Sequence, residues 1–353
     1  MTWAPWLETL RRRLFATPID AAVTLLCLYV VWRISVPLVH WLVLDATWHG
    51  TSRDDCTSPG ACWVFVRARF GQFMYGQYPV TERWRVDVVG ALVVLVGVML
   101  SWRSLPHRRG AAIACSVLVP PLGILLLHGG WGTGLALVET REWGGLMLTL
   151  VLTFYAGLVA VPLGILLALG RRSRLPLIRF ASVVFIEFWR GVPIITVIFL
   201  ASLLLPLIMP TGFDVDRLAR AIIGLAFVIA AYMAEAVRGG LQALPDSQAE
   251  AAQALGLGYW RIQRMIVLPQ ALRIALPAMT NEFIALFKNT TLVLIVSLFD
   301  LLGIAQAALA DPAWVGMNME AYVFAGAIYW FACFGVSRWS SLREKRLQVA
   351  HGR

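Results

Sequence analysis

Glu187, Arg190, Glu235, Glu282, Lys288 and Asp300 lie within or at the ends of strongly apolar stretches of the chain. A charge is costly in hydrocarbon, so such residues face the inside of a helix bundle, where they pair with one another or line a polar path. Glu187 and Arg190 are three residues apart and would share one helical face. Cys56 and Cys62 surround TSPG, a turn-forming stretch that can bring two sulfurs together, and a disulfide there calls for an oxidising outer compartment. Cys27, Cys115 and Cys333 fall inside apolar runs and read as packing residues. Nucleotide hydrolysis is not expected of this chain, because Lys288 lacks the preceding glycines of a G-x-x-x-x-G-K-[ST] loop. Nor is a metal site expected: no H-E-x-x-H occurs, and His40, His49, His107, His128 and His351 are scattered.

The elements that must hold these residues are membrane helices. Of the 353 residues, 59% are hydrophobic and 14% charged, against about 45–50% and about 25% in an average soluble domain. That balance excludes a soluble globular enzyme. A bilayer core about 30 Å thick needs about 20 apolar residues per helix, which leaves room for about eight spans. Apolar runs lie at 19–44, 87–102, 111–128, 144–169, 176–209, 218–237, 276–304 and 321–337. The first follows Arg11, Arg12 and Arg13 in the manner of a secretory signal but is too long for one. Its Leu, Ile and Val side chains, at roughly 0.3–0.6 kcal/mol each, outweigh a central Arg33 costing roughly 3 kcal/mol. The expected fold is therefore all-α and polytopic, with about eight transmembrane helices. Most of the 30 basic residues fall in alternate connections: before 19, at 103–109, at 171–179, at 238–273 and at 338–353. Basic residues are retained on the cytoplasmic side, so both termini are expected there. The formal charge of +10 is not gathered on a soluble face, which argues against a nucleic-acid partner.

Two stretches are irregular. The run Pro176–Met209 is too long for one straight crossing, and RGVP at Arg190–Pro193 interrupts it with a helix breaker, which predicts a kink or break. Such interruptions persist at membrane depth only where protein or a watery cavity surrounds the freed backbone groups. An interfacial helix at about 176–188 leading into an ordinary span is the competing reading. The connection after the sixth run is rich in structural signals. Ser247 and Glu250 form an S-x-x-E pattern that predicts a capped helix from Ser247, and Gly256 fits its C-terminus. A second short helix, Tyr259–Val267, is expected to stop at Pro269, giving a helix-turn-helix against the inner membrane face. Ala251 and Ala252 would keep its surface low enough for close approach.

Glu250, Ala251 and Ala252, followed by Gly256, Ile266, Leu268 and Pro269, match in type and spacing the EAA signature of ABC importer permeases. The flanking AYMAEAVRGG (Ala231–Gly240), LPQALRIALP (Leu268–Pro277) and FKNTTL (Phe287–Leu292) resemble polar amino-acid permeases, over about Gly144–Trp339. The preceding three runs, with GACW (Gly60–Trp63) in their outer loop, are similar to the longer permease of general L-amino-acid importers. Ser247 stands where that family usually has glycine, a change that a capping role tolerates.

The resemblance implies a type I ABC importer core. Residues 1–140 would be an N-terminal extension with three spans and an outer loop at 45–86. Residues 141–340 would be the permease core with five spans and a coupling loop at 238–276, and 341–353 a cytoplasmic tail. The chain would sit in a bacterial inner membrane and bind no cofactor itself, with ATP and Mg on two cytoplasmic ABC ATPase subunits. Its signature helix would be the coupling helix that docks into a cleft on the ATPase. A second homologous permease subunit would complete the path, and an extracytoplasmic amino-acid-binding protein would deliver the L-amino acid. A zwitterion needs an acceptor for its ammonium and a donor for its carboxylate, which the opposed intramembrane charges could supply; a buried structural pair is the other reading of each. The competing function is a secondary transporter driven by an ion gradient through the same carboxylates. It would predict inverted repeats, which are not visible in the sequence, and it leaves the structured loop without a purpose.

Overall fold

The computed structural model describes residues 13–101, 108–130, 132–210 and 215–351. Among these the chain is helical, with isolated β-bridges and no longer strand. Helix α1 (Pro18–Val39) opens on a reciprocal cap: the Asp20 N–H donates to the Thr17 hydroxyl and the Thr17 N–H donates to the Asp20 carboxylate. A π-helical turn, His40–Leu44, continues it. Helices α2 (Trp63–Tyr75), α3 (Arg83–Ser101) and α4 (Arg108–His128) follow. Next come α5 (Gly145–Arg171), α6 (Pro176–Gly191), α7 (Ile194–Ile208) and α8 (Arg217–Gln242). The remainder is α9 (Ser247–Ala254), α10 (Tyr259–Ile262), α11 (Leu268–Asn289), α12 (Leu301–Leu309) and α13 (Asn318–His351).

Five described stretches are long and apolar enough to cross a bilayer: Pro18–Leu44, Gly145–Arg171, Arg217–Gln242, Tyr259–Val296 and Asn318–Glu344. Helices α6 and α7 are a further apolar pair, bent by 106° at the RGVP break. Helices α3 and α4, of 19 and 21 residues, occupy the two remaining apolar runs. The seventh run differs from its expected extent of 276–304. The chain leaves the crossing at Val296, turns at Ser297 in the left-handed region (φ 59°), and starts the separate buried helix α12 at Leu301. The cause is polar: the Asp300 carboxylate accepts the Gly303 N–H at 2.9 Å and so caps α12.

Among the described residues the chain forms two compact units, one joining those up to Arg69 with Leu309–Ala321, the other joining those from Phe70 to Ala308 with those from Tyr322 on. In the first, the Cys62 N–H donates to the buried Glu320 carboxylate at 3.0 Å, Arg69 pairs with Asp311, and Phe65 packs on Trp314. Cys56 and Cys62 are joined as a disulfide, Cα atoms 5.7 Å apart.

In the second unit the core is the contact of α5, α8 and α11. Small residues line it: Ala156, Ala160 and Ala168 of α5 and Ala226, Ala230 and Ala234 of α8 are fully buried. Close helix approach through small side chains is how bundles pack when the surroundings are themselves apolar. Gly240 marks the limit, since a Cβ there would collide with the Ala271 carbonyl of α11. At the other end of the bundle, the Gly145 N–H donates to the Phe299 carbonyl at 2.9 Å and the Leu301 N–H to the Thr149 hydroxyl at 3.1 Å.

Candidate functional site

The connection from α8 to α11 is folded throughout. Helix α9 starts at Ser247, but the S-x-x-E cap is not made. Asp246 occupies the cap position in right-handed helical geometry, and its side chain caps nothing. A capping box needs an extended residue at the cap, and here Ser247 is already inside the first turn. The Asp246 carboxylate instead faces the Arg172 guanidinium at 3.4 Å.

The far end of α9 closes as expected of Gly256, which takes φ +76°. Its N–H donates to the Gln253 carbonyl at 2.9 Å, and the Leu257 N–H donates to the Ala252 carbonyl at 3.1 Å. Those two bonds are the Schellman pattern, which satisfies carbonyls that the helix end would otherwise leave open. Ala252 is buried, whereas Glu250, Ala251 and Leu255 are exposed, Leu255 by 82%. The two alanines therefore do different work: one packs α9 onto the bundle and the other faces outward.

Pro269 does not end the second helix. From α10 the chain passes through a π-helical turn, Gln263–Val267, straight into α11, with Pro269 in that helix's first turn. Proline is tolerated there because a first-turn N–H has little to bond, and the wider π turn relieves its ring. Ile266 and Leu268 are half-buried beside the buried Val267. The Gln270 amide donates to the Ile266 carbonyl at 2.9 Å and to Gln248 Oε1 at 2.8 Å. Gln248 lies on α9, so this side chain ties the short helix to the long one.

The intramembrane charges divide into four groups. Arg171 Nη1, from the end of α5, bonds Glu187 Oε1 of α6 at 3.0 Å and Glu235 Oε1 of α8 at 2.7 Å. Glu235 Oε2 accepts from Arg238 Nη2 at 2.7 Å and Nε at 2.9 Å. Arg190 and Glu282 line one cleft of about 420 Å³ beside the α6–α7 break, with Tyr232 and Asn289 among the other lining residues. The Arg190 guanidinium lies over the Tyr232 ring, 5.6 Å from its centre, and 4.0 Å from Glu235. Asp300 is fully buried and serves the fold, accepting from Gly303 and from the Tyr329 hydroxyl at 2.7 Å. Lys288 is exposed in the last turn of α11.

Sequence reasoning missed Arg171, Arg238, Tyr232, Gln248 and Gln270. Arg238 was within reach of it, three residues beyond Glu235 on the same helix face. Arg171 reads as a connection residue, and its partners lie 16 and 64 positions away. Among the described residues, no group of three His, Cys, Asp or Glu side chains is placed to hold a metal.

Several apolar helices long enough to cross a bilayer, a helix pair bent at RGVP beside a charged cleft, and a folded loop tied to the helix that walls the cleft fit a multi-pass transport permease. The chain belongs to the family described as the binding-protein-dependent transport system inner membrane component, whose profile matches residues 160–349. It is 50% identical over 340 residues to the inner membrane amino-acid ABC transporter permease protein YhdY of Escherichia coli, covering 96% of this chain and 92% of that one. It is 36% identical over 414 residues to the glutamate/glutamine/aspartate/asparagine transport system permease protein BztC of Rhodobacter capsulatus, covering 98% and 94%. The crystal structure of an amino acid ABC transporter with histidines superimposes with a TM-score of 0.50 at 32% identity, over 57% of this chain and 92% of that chain. Family membership supports an amino-acid ABC transporter permease of a binding-protein-dependent system over a transporter driven by an ion gradient.

Proposed function

We propose that this chain is the permease subunit of an ATP-driven importer of L-amino acids, with both termini in the cytoplasm of a bacterium. It pairs with a second, homologous permease subunit as a heterodimer. Two ABC ATPase subunits carry ATP and Mg and dock on α9, and an extracytoplasmic binding protein delivers the cargo. The observation that carries this reading is the Gln248–Gln270 tie, because it joins the first turn of α9 to α11, the helix that brings Glu282 to the cleft. ATP binding draws the ATPases together, α9 follows, and α11 moves with it; hydrolysis resets the inward-facing state.

The cleft supplies what a zwitterion needs: the Arg190 guanidinium as donor to a carboxylate and the Glu282 carboxylate as acceptor for an ammonium. Its volume of about 420 Å³ admits a free amino acid and excludes a folded partner. Purified assembly in proteoliposomes tests the proposal. Uptake should require the binding protein and internal ATP, stop with orthovanadate and persist with a protonophore; uptake abolished by the protonophore alone would overturn it.

A further inference from the structure

We propose that Arg190 serves two partners in turn: with the cleft empty it is held toward Glu235, and a cargo carboxylate entering the cleft takes it over, slackening the tie between α6 and α8. The inference rests on the reading that the cleft takes amino acids. Arg171, Arg190 and Arg238 surround Glu187 and Glu235, so these five groups carry one positive charge in excess, which faces Glu282 across the cleft. The excess belongs to Arg190. Both oxygens of Glu235 already accept from Arg171 or Arg238 within 2.9 Å, whereas Arg190 stands at 4.0 Å, beyond a hydrogen bond. Its guanidinium also lies over the Tyr232 ring and borders the cleft, where the Glu282 carboxylate attracts it by charge.

The backbone can follow such a change of partner. Arg190 sits in the last turn of α6, next to the 106° break, and nothing lies within 4 Å of where a Cβ on Gly191 would be. A zwitterion with its carboxylate on Arg190 and its ammonium on Glu282 bridges α6 to α11. Loading therefore exchanges an α6–α8 attraction for an α6–cargo–α11 link. Because α11 is also tied to α9 through Gln270, the loaded cleft is connected to the docking helix in a way the empty one is not.

The test uses the whole transporter, with partner permease and ATPases, in nanodiscs without the binding protein. Spin labels go on Val184→Cys of α6 and Gly239→Cys of α8, both exposed positions. The probes are L-glutamine, L-aspartate, L-leucine and L-lysine and their methyl esters, which keep the ammonium and lose the α-carboxylate charge. At least one amino acid should bind and lengthen or broaden the α6–α8 distance, while its ester leaves that distance unchanged. Arg190→Gln should weaken the amino acid by roughly 10–100-fold, the loss of one charge-assisted hydrogen-bonding partner, and leave the ester's affinity unchanged. Arg190→Lys should recover part of the loss, and unchanged ester binding reports that each variant is folded. Binding of the free amino acid with no change in distance, or undiminished binding to Arg190→Gln, would overturn the exchange and leave the cargo reading standing. If the wild type bound none of the amino acids, the cargo reading itself would fall, and the exchange with it.

Discussion

Replacing Gly256 with valine isolates the shape of α9, the proposed docking element, from its surface. Gly256 holds φ +76°, a conformation that costs an L-residue roughly 1–2 kcal/mol and a β-branched one at the upper end of that range or beyond. A Cβ at Gly256 meets nothing within 4 Å, so the cost is one of backbone conformation alone. It is paid out at the two bonds that close α9, from Gly256 to Gln253 and from Leu257 to Ala252. A penalty of about 1–2 kcal/mol lowers the ratio of closed to open α9 ends by a factor of about 5–30. Asparagine tolerates this region, so Gly256→Asn should cost under about 1 kcal/mol. In proteoliposomes carrying the complete transporter, Gly256→Val should insert and assemble normally while uptake per ATP hydrolysed falls, with a ceiling of about 5–30-fold, and Gly256→Asn should lose clearly less. Unchanged coupling in the valine variant would refute the reasoning. Equal damage from asparagine and valine would refute it too, because side-chain bulk at the docking surface would then be the cause.

Three further outcomes follow from named contacts. Gln248→Ala and Gln270→Ala, alone and together, should give a coupling energy of about 0.5–1.5 kcal/mol in thermal stability, and strict additivity would contradict the tie between α9 and α11. Asp300→Ala leaves the Gly303 N–H and the Tyr329 hydroxyl without an acceptor and should cost about 2–4 kcal/mol, whereas Asp300→Asn keeps one acceptor and should cost about half as much; equal melting temperatures in detergent would count against the capping role. Cys56 and Cys62 should resist alkylation until a reductant is added, and Cys56→Ser should cost roughly 2 kcal/mol of local stability by limited proteolysis of the outer loop; labelling of both thiols without reductant would contradict the crosslink.

What the sequence made legible was local. The length of each apolar run announced the crossings, RGVP announced the break, and Gly256 announced the end of α9, because each signal acts over a few residues through sterics or hydrophobic period. The failures arose where a signal has two outcomes that only surroundings decide. Pro269 reads as a stop, yet in the first turn of α11, after a π turn, it is a start. Ser247 and Glu250 read as a box, yet Asp246 had already adopted helical geometry. The six charges could be recognised as meaningful without their roles being separable: Glu187 and Glu235 take arginines from other helices, Asp300 caps α12, and Arg190 and Glu282 meet at one cleft. Contacts such as Cys62 with Glu320, 258 positions apart, leave no trace in spacing or composition.

The central claim is that α9 takes its push from an ATPase on another polypeptide. Photocrosslinking from Ala251, the outward-facing alanine of the pair, tests it most directly in the intact, transporting assembly; Ala252 is buried and would report only a packing defect. The account predicts an adduct between this chain and the ATPase subunit whose yield changes when ATP is added. Crosslinks to lipid or to the permease alone, in an assembly that still imports, would contradict it.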